Sequence, residues 1–516
     1  YNAGARIHSN SWGGDTQGVY TSDCKTVDTF IFDHEDFLLY FANGNAYSAG
    51  EVGSPASAKN CISIGALTHG SSSPASDSVA SFTSRGPTAD GRYKPDVSTP
   101  GSSILSALGT SSHTDQNCSY QSMDGTSMAT PTAAGAGTLL RQYYYDGFYP
   151  TGAKVAANAM TPSAALMKAS MINSCMDIGT PNIPNNDEGY GRVTLENVCY
   201  FTGDTRKTRV WDKRNVVGLA TGQADEYQID VASGQPFKVT LVWTDPQAST
   251  TAAVTLVNNL NLQVISPSSQ TYLGNVFSSG QSTTGGTADS LNNVETFLIN
   301  APTAGTWTIR VVGASIPGTP VQPYSTRQGY ALVATFGECG GSPLAAPGSV
   351  TATNNGTTGI DLSWGSVSGA SEYYLYRANG NCTLSAEKFS YMGKTTGTTF
   401  TDTLVQGGYT YAYKVKAADE CVEGAFSTCA TATYSGNCTL YPTFAGLTSA
   451  TNNLTTAACD VDLVWSAGSS NCPLFNSVTY NVYRGTNPYF TVGPSSLLQD
   501  GDRKSTRLNS SHVSQS

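Results

Sequence analysis

Over the first 200 residues, short apolar runs alternate with longer stretches of helical period. FLLYFA (37–42) and CISIGA (61–66) are continuous apolar or small runs, whereas TPTAAGAGTLLRQYY (130–144) and TPSAALMKASMINSC (161–175) return apolar residues every three to four positions. Strands alternating with helices predict a parallel α/β layer. From about Val210 the period drops to two. PFKVTLVWTD (236–245), NLNLQVISP (259–267) and GTWTIRVVGA (305–314) alternate apolar and polar positions between Gly, Pro, Asn and Ser turns, which predicts β-sandwich strands.

CGGSPLAAPG, around Cys339 to Pro347, has the composition of a linker, and two weakly similar units follow it. IDLSW (360–364) returns as VDLVW (461–465), and YYLYR (373–377) as YNVYR (480–484). YTYAYKVKA (409–417) places tyrosines alternately on one strand face. The units resemble fibronectin type III modules, with a buried Trp, a strand ending in Tyr-Arg and a tyrosine corner. The second stops too early to close its sandwich. DRKSTRLNSSH (502–512) resembles the translation of a sequencing adapter, so residues 501–516 are expected to be a disordered tail without function.

Length and charge narrow the class. At about 150 residues per domain, 516 residues predict three to four domains. Lys+Arg 27 against Asp+Glu 37 gives 27 − 37 = −10, which disfavours nucleic acid as a partner. No apolar run reaches the length of about 18 residues that a membrane helix needs. None of the 12 cysteines forms a CxxC pair, so structural disulfides in an oxidising compartment fit better than zinc, and the chain reads as secreted.

The strongest chemical signal is Gly125-Thr126-Ser127-Met128-Ala129-Thr130-Pro131 at the head of a Gly/Ala-rich helical pattern. A Gly before the serine permits a tight turn, and the helix N-terminus after it supplies free N–H groups and a positive dipole end. GTSMATP resembles the serine motif of the subtilisin-like proteases, and other segments follow in that family's order. Ser11, Trp12 and Gly13 in SNSWGG resemble the strand along the substrate cleft. Ala42-Asn43-Gly44-Asn45 resembles the oxyanion segment, and Val52-Gly53-Ser54-Pro55 the floor of the pocket for the residue before the scissile bond. The resemblance implies Ser127 as nucleophile, Asn45 as oxyanion donor and Thr126 as its support. It implies Ser11, Trp12, Gly13, Ala42, Asn43, Gly44 and Gly53 as substrate-binding residues. A pocket walled by Gly13, Gly44 and Gly53 is expected to be roomy, uncharged and suited to large apolar side chains.

FTSRGP (82–87), KPDV (94–97) and TPG (99–101), with a β-sandwich following, resemble the bacterial alkaline proteases that carry a C-terminal barrel, over about residues 1 to 340. The departure is the rest of the triad, which needs a histidine and an aspartate before the serine. Of His8, His34, His69, His113 and His512, none sits in an HGTH setting. His69 reads as a loop residue, and His34 as the end of a surface helix. The expectation is that the chain begins after the catalytic Asp and His and is inactive as written. Cofactors are expected to be absent from the chemistry. By resemblance, the second domain is expected to offer calcium Asp245, Asn259, Asn261, Asp289 and Glu295, with asparagines where the family usually has aspartates. Arg206, Lys207, Arg209, Lys213 and Arg214 are read as a solvated linker face.

The whole is read as a multidomain chain: a subtilisin-like α/β parallel-sheet domain at 1–200, N-terminally truncated, then β-sandwich domains. These are a jelly-roll or P-domain-like sandwich at 201–339, a fibronectin type III-like module at 345–436 and a truncated second one at 437–500. The function implied is a secreted serine endopeptidase acting on proteins or peptides through an acyl-enzyme on Ser127, its modules meeting extracellular matrix or polymer. The alternative is a noncatalytic adhesion or substrate-binding protein on a degenerate protease fold. Peptide ligation through the same acyl-enzyme shares these motifs.

Overall fold

The computed structural model describes residues 1–68, 78–109, 119–317, 326–337, 344–438, 447–453, 460–472, 480–483, 497–502 and 507–508. These divide into two compact units. One holds Tyr1–Thr351, Ser363–Phe400 and Ala412–Ala430, and the other Ala352–Leu362, Thr401–Tyr411 and Thr431–Ser516.

In the first unit β1 (Ile7–Asn10), α1 (Ser22–Asp33), β2 (Leu38–Ala42), β3 (Ile62–Leu67) and β4 (Val97–Pro100) build a four-stranded sheet in the order β1-β2-β3-β4. Every pairing is parallel. The two apolar runs became β2 and β3, and β3 is buried along its whole length, as a central parallel strand covered on both faces must be. A short antiparallel hairpin, β5 (Ile104–Ala107) and β6 (Tyr120–Met123), leads into α2 (Thr126–Tyr145). α3 (Ala164–Asn173) is capped by the Ser163 side chain accepting from the Leu166 N–H, and all ten of its residues are buried. An amphipathic face is missing because two layers claim the helix: it packs against α2 and β2 and against β9 and β15 of the next domain.

That domain runs β7 (Arg206–Lys213), β8 (Ala224–Val231), β9 (Phe237–Val242), β10 (Asn259–Ile265), β11 (Thr271–Ser278), β12 (Gln281–Thr284), β13 (Val294–Ile299), β14 (Gly305–Ser315) and β15 (Tyr330–Gly337). A five-stranded sheet, β12-β11-β10-β14-β8, faces a second sheet containing β13-β9-β15-β7. Leu260, Leu262, Val264, Ile309 and Val311 from one face and Val239, Leu241, Trp243 and Leu332 from the other form the core between them. The period of two is therefore real, with alternate residues of β10 inside and out.

After β16 (Thr351–Asn354) and β17 (Ile360–Ser363), β18 (Glu372–Asn379) and β19 (Ser390–Thr395) extend that second sheet. The join is a single parallel bridge, Tyr391 opposite Lys213. β20 (Thr399–Asp402) and β21 (Thr410–Ala418) complete the fibronectin-like pattern. Trp364 is buried against Tyr373, ring centroids 5.5 Å apart. In the second unit, the Tyr411 hydroxyl accepts the Gln406 N–H at 2.9 Å, the contact of a tyrosine corner. Further along, Leu447–Asn453 pairs antiparallel with Asp460–Trp465, and Trp465 is buried. Residues 503–506 and 509–516, most of the expected tail, lie outside the described residues.

Two expectations are corrected here. The basic run is no solvated linker but strand β7: Arg209 is buried near Glu423, and Lys213 donates to Asp225 at 2.6 Å. Alternation on a buried strand buries charges only where carboxylates meet them. The cysteines also divide. Cys382–Cys429 and Cys438–Cys472 are disulfides and Cys421 is disulfide-bonded, whereas Cys24, Cys61, Cys175 and Cys199 are buried thiols. Burial pushes Cys61, Cys175 and Cys199 up to about 12, so they are inert packing groups. Cys118, Cys339 and Cys459 lie outside the described residues.

Candidate active site

Gly125 is the N-cap of α2 at φ +150°, a backbone state that resists a side chain, and it turns the chain so that Ser127 falls in the first helical turn. The N–H groups of that turn have no carbonyl of the preceding turn to bond, and Ser127 N–H is one of them. The Ser127 hydroxyl lies 3.4 Å from the Ser11 carbonyl, and the Ser11 hydroxyl donates to the Ser127 carbonyl at 2.7 Å. The loop after β1 and the head of α2 are thereby locked together.

Asn45 reaches the same place from the loop after β2. Its side-chain oxygen accepts the Thr126 N–H at 2.9 Å and the Thr126 hydroxyl at 3.0 Å. Because an N–H can only donate, these bonds fix which end of the amide is oxygen and leave the NH₂ group free of Thr126. The loop is braced from behind by the 82–87 segment. Ser84 N–H donates to Gly44 carbonyl at 2.9 Å, its hydroxyl accepts Ala46 N–H at 2.9 Å, and its carbonyl accepts the Asn43 side-chain amide at 2.6 Å. Gly44 sits at φ +113°, where an added Cβ would come 2.7 Å from the Ser84 hydroxyl.

A cleft of about 340 Å³ is lined by Ser11, Trp12, Gly13, Gly14, Asp15, Ala42, Gly44, Asn45, Gly53, Thr126 and Ser127. An added Cβ would meet the Ser54 carbonyl at 2.9 Å on Gly13 and the Gly14 carbonyl at 3.1 Å on Gly53, so bare backbone lets these two walls lie against each other. Asn43 is corrected: it is fully buried, is absent from the lining and serves as a strut to Ser84. Adjacency in sequence to Gly44 suggested the cleft, but the neighbouring side chain turns inward. Gly14 and Asp15 were missed. Asp15 also breaks the expected absence of charge, and nothing in its sequence context marked it.

Among the described residues no histidine lines the cleft. His8 is exposed on β1. His34 caps the C-terminus of α1 as expected, its Nδ1 donating to the Phe30 carbonyl at 2.9 Å and its ring stacked on Phe30. His69, His113 and His512 lie outside the described residues.

The calcium set does not assemble as expected. Asp245 is fully buried and paired with the Lys59 ammonium, and it also accepts the Val257 and Asn258 N–H groups. A cation already occupies its place. Asp289 accepts the N–H groups of Leu291 and Asn292 and the side-chain amides of Asn275 and Asn292. The side-chain oxygens of Asn259 and Asn261 and one oxygen of Glu295 are different, being buried without a hydrogen-bond partner. Burial drives the Glu295 carboxyl well above its ordinary range, and Asp289 pushes the same way. These three oxygens have the chemistry of hard-cation ligands.

Residues 1–191 match the model of the subtilase family. A curated relative, "Serine protease/ABC transporter B family protein tagD" of Dictyostelium discoideum, is 30% identical over 62% of this chain and 25% of its own length. "Serine protease AprX" of Bacillus subtilis is 36% identical over 22% of this chain and 31% of its own length. Among solved structures, an Fn3-like protein from Clostridium thermocellum is 29% identical over 18% of this chain and 97% of its own, with a TM-score of 0.16. The chain spans about a quarter of the length of the tagD relative and of two further Dictyostelium relatives like it.

Proposed function

On the premise that residues 1–191 are a domain of the subtilase family, we propose that the protein is a secreted serine endopeptidase whose Ser127 hydroxyl attacks the peptide carbonyl. The observation that supports this best is the pair of bonds from Thr126 to the Asn45 oxygen. They take up the amide oxygen and so leave the NH₂ group, with the Ser127 N–H of the first helical turn, to serve as donors for the charge that develops on the carbonyl oxygen. Attack forms a tetrahedral oxyanion; expulsion of the amine leaves an acyl ester on Ser127, and water releases the acid. The serine proton needs a base, and among the described residues no histidine lines the cleft, so activity is tested on the full-length protein. Ser127→Ala in that protein abolishes cleavage of casein or a peptide library while leaving the melting temperature unchanged. Full-length protein that binds but never cleaves peptides would favour the noncatalytic adhesion reading.

The same reading puts the enzyme outside the cell, where Cys382–Cys429 and Cys438–Cys472 persist and the fibronectin-like modules meet matrix or polymer. Among the described residues no helix is long and apolar enough to cross a membrane. We propose calcium as a structural ion held by Asn259, Asn261 and Glu295, without Asp245 and with no part in the reaction.

A further inference from the structure

The cleft carries one ionisable residue. Of the eleven residues that line it, ten are uncharged, and the eleventh, Asp15, is exposed. It follows Gly13 and Gly14 directly, and Gly14 is clamped to the opposite wall by two backbone bonds with Ser54, at 2.8 and 2.9 Å. Asp15 is therefore carried on fixed backbone. Its carboxylate has no hydrogen-bond or ion-pair partner among the described residues. A second carboxylate, Glu51, lies two residues before Gly53, outside the lining, where it accepts the neutral Gln17 amide at 3.5 Å and its N–H bonds the Arg85 carbonyl at 3.2 Å. No lysine or arginine lines the cleft to offset either, and the whole chain is ten charges negative.

We propose that Asp15 makes the cleft selective for peptides with a lysine or arginine side chain lodged in it, on the acyl side of the scissile bond. This rests on the endopeptidase reading and replaces the apolar preference expected from the glycine walls. Those glycines still matter, because bare backbone leaves room for a long aliphatic stem to lie along the cleft with its charged head at Asp15. An exposed ion pair contributes up to about 1 kcal/mol, which is about fivefold in a ratio of rates or affinities. The Asp15 carboxylate, on a chain ten charges negative, also steers cationic peptides inward, and salt screens that field.

The experiment compares peptides identical except for lysine, norleucine or glutamate at the residue before the cut. In the full-length protein the ratio of kcat/KM for lysine over norleucine is about five at low salt, falls as salt is raised, and drops to about one in Asp15→Asn. Affinities of the same peptides for the Ser127→Ala protein follow the same order, so the preference is readable even if no peptide is cleaved. A lysine-to-norleucine ratio at or below one in the parent protein, or one that Asp15→Asn leaves intact, overturns the proposal. If cleavage occurs and depends on Ser127 while that ratio is flat, the selectivity fails and the endopeptidase reading stands. If lysine peptides bind selectively without cleavage, the reverse holds.

Discussion

The cleft and the seam between the α/β layer and the sandwich use polar groups in opposite ways. At the cleft the polar groups around Ser127, its hydroxyl, the Asn45 amide and the backbone N–H, are neutral and lie at the surface on glycine-rich loops. At the seam, charges are sunk out of reach of solvent. Lys59 donates to Asp245 and to the Pro246 and Thr255 carbonyls, and Asn60 joins Asp28 on α1 to the Asp245 backbone. Joined to it by the Lys168 ammonium donating to the Lys59 carbonyl at 2.9 Å, Lys94 and Lys168 flank Asp96 at 2.6 and 2.9 Å; burial alone would raise that carboxyl, and the two ammonium groups hold it below its ordinary range. Perturbed ionisation is a common pointer to active sites, but here it marks the mortar between layers. The site itself is recognised by free donors and an open backbone.

The largest expected effect tests the seam. Removing Lys59 leaves Asp245 buried without its cation, and breaking such a pair costs about 3–5 kcal/mol, far more than the pair adds over an apolar match. Lys59→Ala therefore lowers the urea midpoint steeply in the full chain, and the double change Lys59→Met with Asp245→Asn recovers a large part of the loss. Equal destabilisation in single and double variants would show that packing volume, not charge, holds this contact.

Much of the cleft was legible in the sequence, and almost none of the seam. Ser127, Asn45 and the three wall glycines lie within short runs whose local chemistry is readable, and the apolar runs at 37–42 and 61–66 fell on β2 and β3 within a residue. Asn43 misled because it lies in the same run, although a strand end turns successive side chains to opposite sides. Lys59 and Asp245 are 186 residues apart, and Lys168 reaches Asp96 from a helix whose pattern gave no hint of a buried charge. No local pattern encodes such partners. α3 read as helical yet hid that both of its faces are covered, which only the arrival of β9 and β15 explains.

A somewhat smaller effect tests the cleft. In the full-length protein Asn45→Ala lowers kcat by about 10²–10³-fold with KM nearly unchanged, the loss established for one oxyanion donor in subtilisin. Thr126→Val sharpens the point, because it removes the hydroxyl that steadies the Asn45 oxygen at 3.0 Å but keeps the N–H that does so at 2.9 Å. Thr126 is thus a positioning residue, and its loss costs several-fold in kcat. The effect should vanish in an Asn45→Ala background, which a purely structural role for Thr126 would not produce. A rise in KM with kcat intact would move Asn45 from the oxyanion to ground-state binding.

The smallest effect concerns Glu295, which has neither the exposure of the cleft nor the counter-charge of the seam. Its carboxyl lies buried, one oxygen accepting the Leu262 N–H of β10 at 2.6 Å and the other bare, as are the side-chain oxygens of Asn259 and Asn261 on β10. With no cation the group keeps its proton, since burial raises its folded pKa well above the unfolded value near 4.5. A carboxyl raised in this way supports the fold at low pH and withdraws that support as pH climbs past about 4.5. Stability of the metal-free chain should therefore fall between about pH 5 and pH 8. Calcium replaces the proton with a charge that the carboxylate can pair, and at 100 times its dissociation constant it adds about 2.7 kcal/mol. Thermal melts with chelator and with calcium, at pH 5 and pH 8, give the test. The calcium-induced rise should be larger at pH 8, and Glu295→Gln should abolish both the rise and the slope. If the Gln variant responds to calcium like the parent, the ion binds elsewhere, and Glu295 is a protonated strut that joins the seam's class of buried groups.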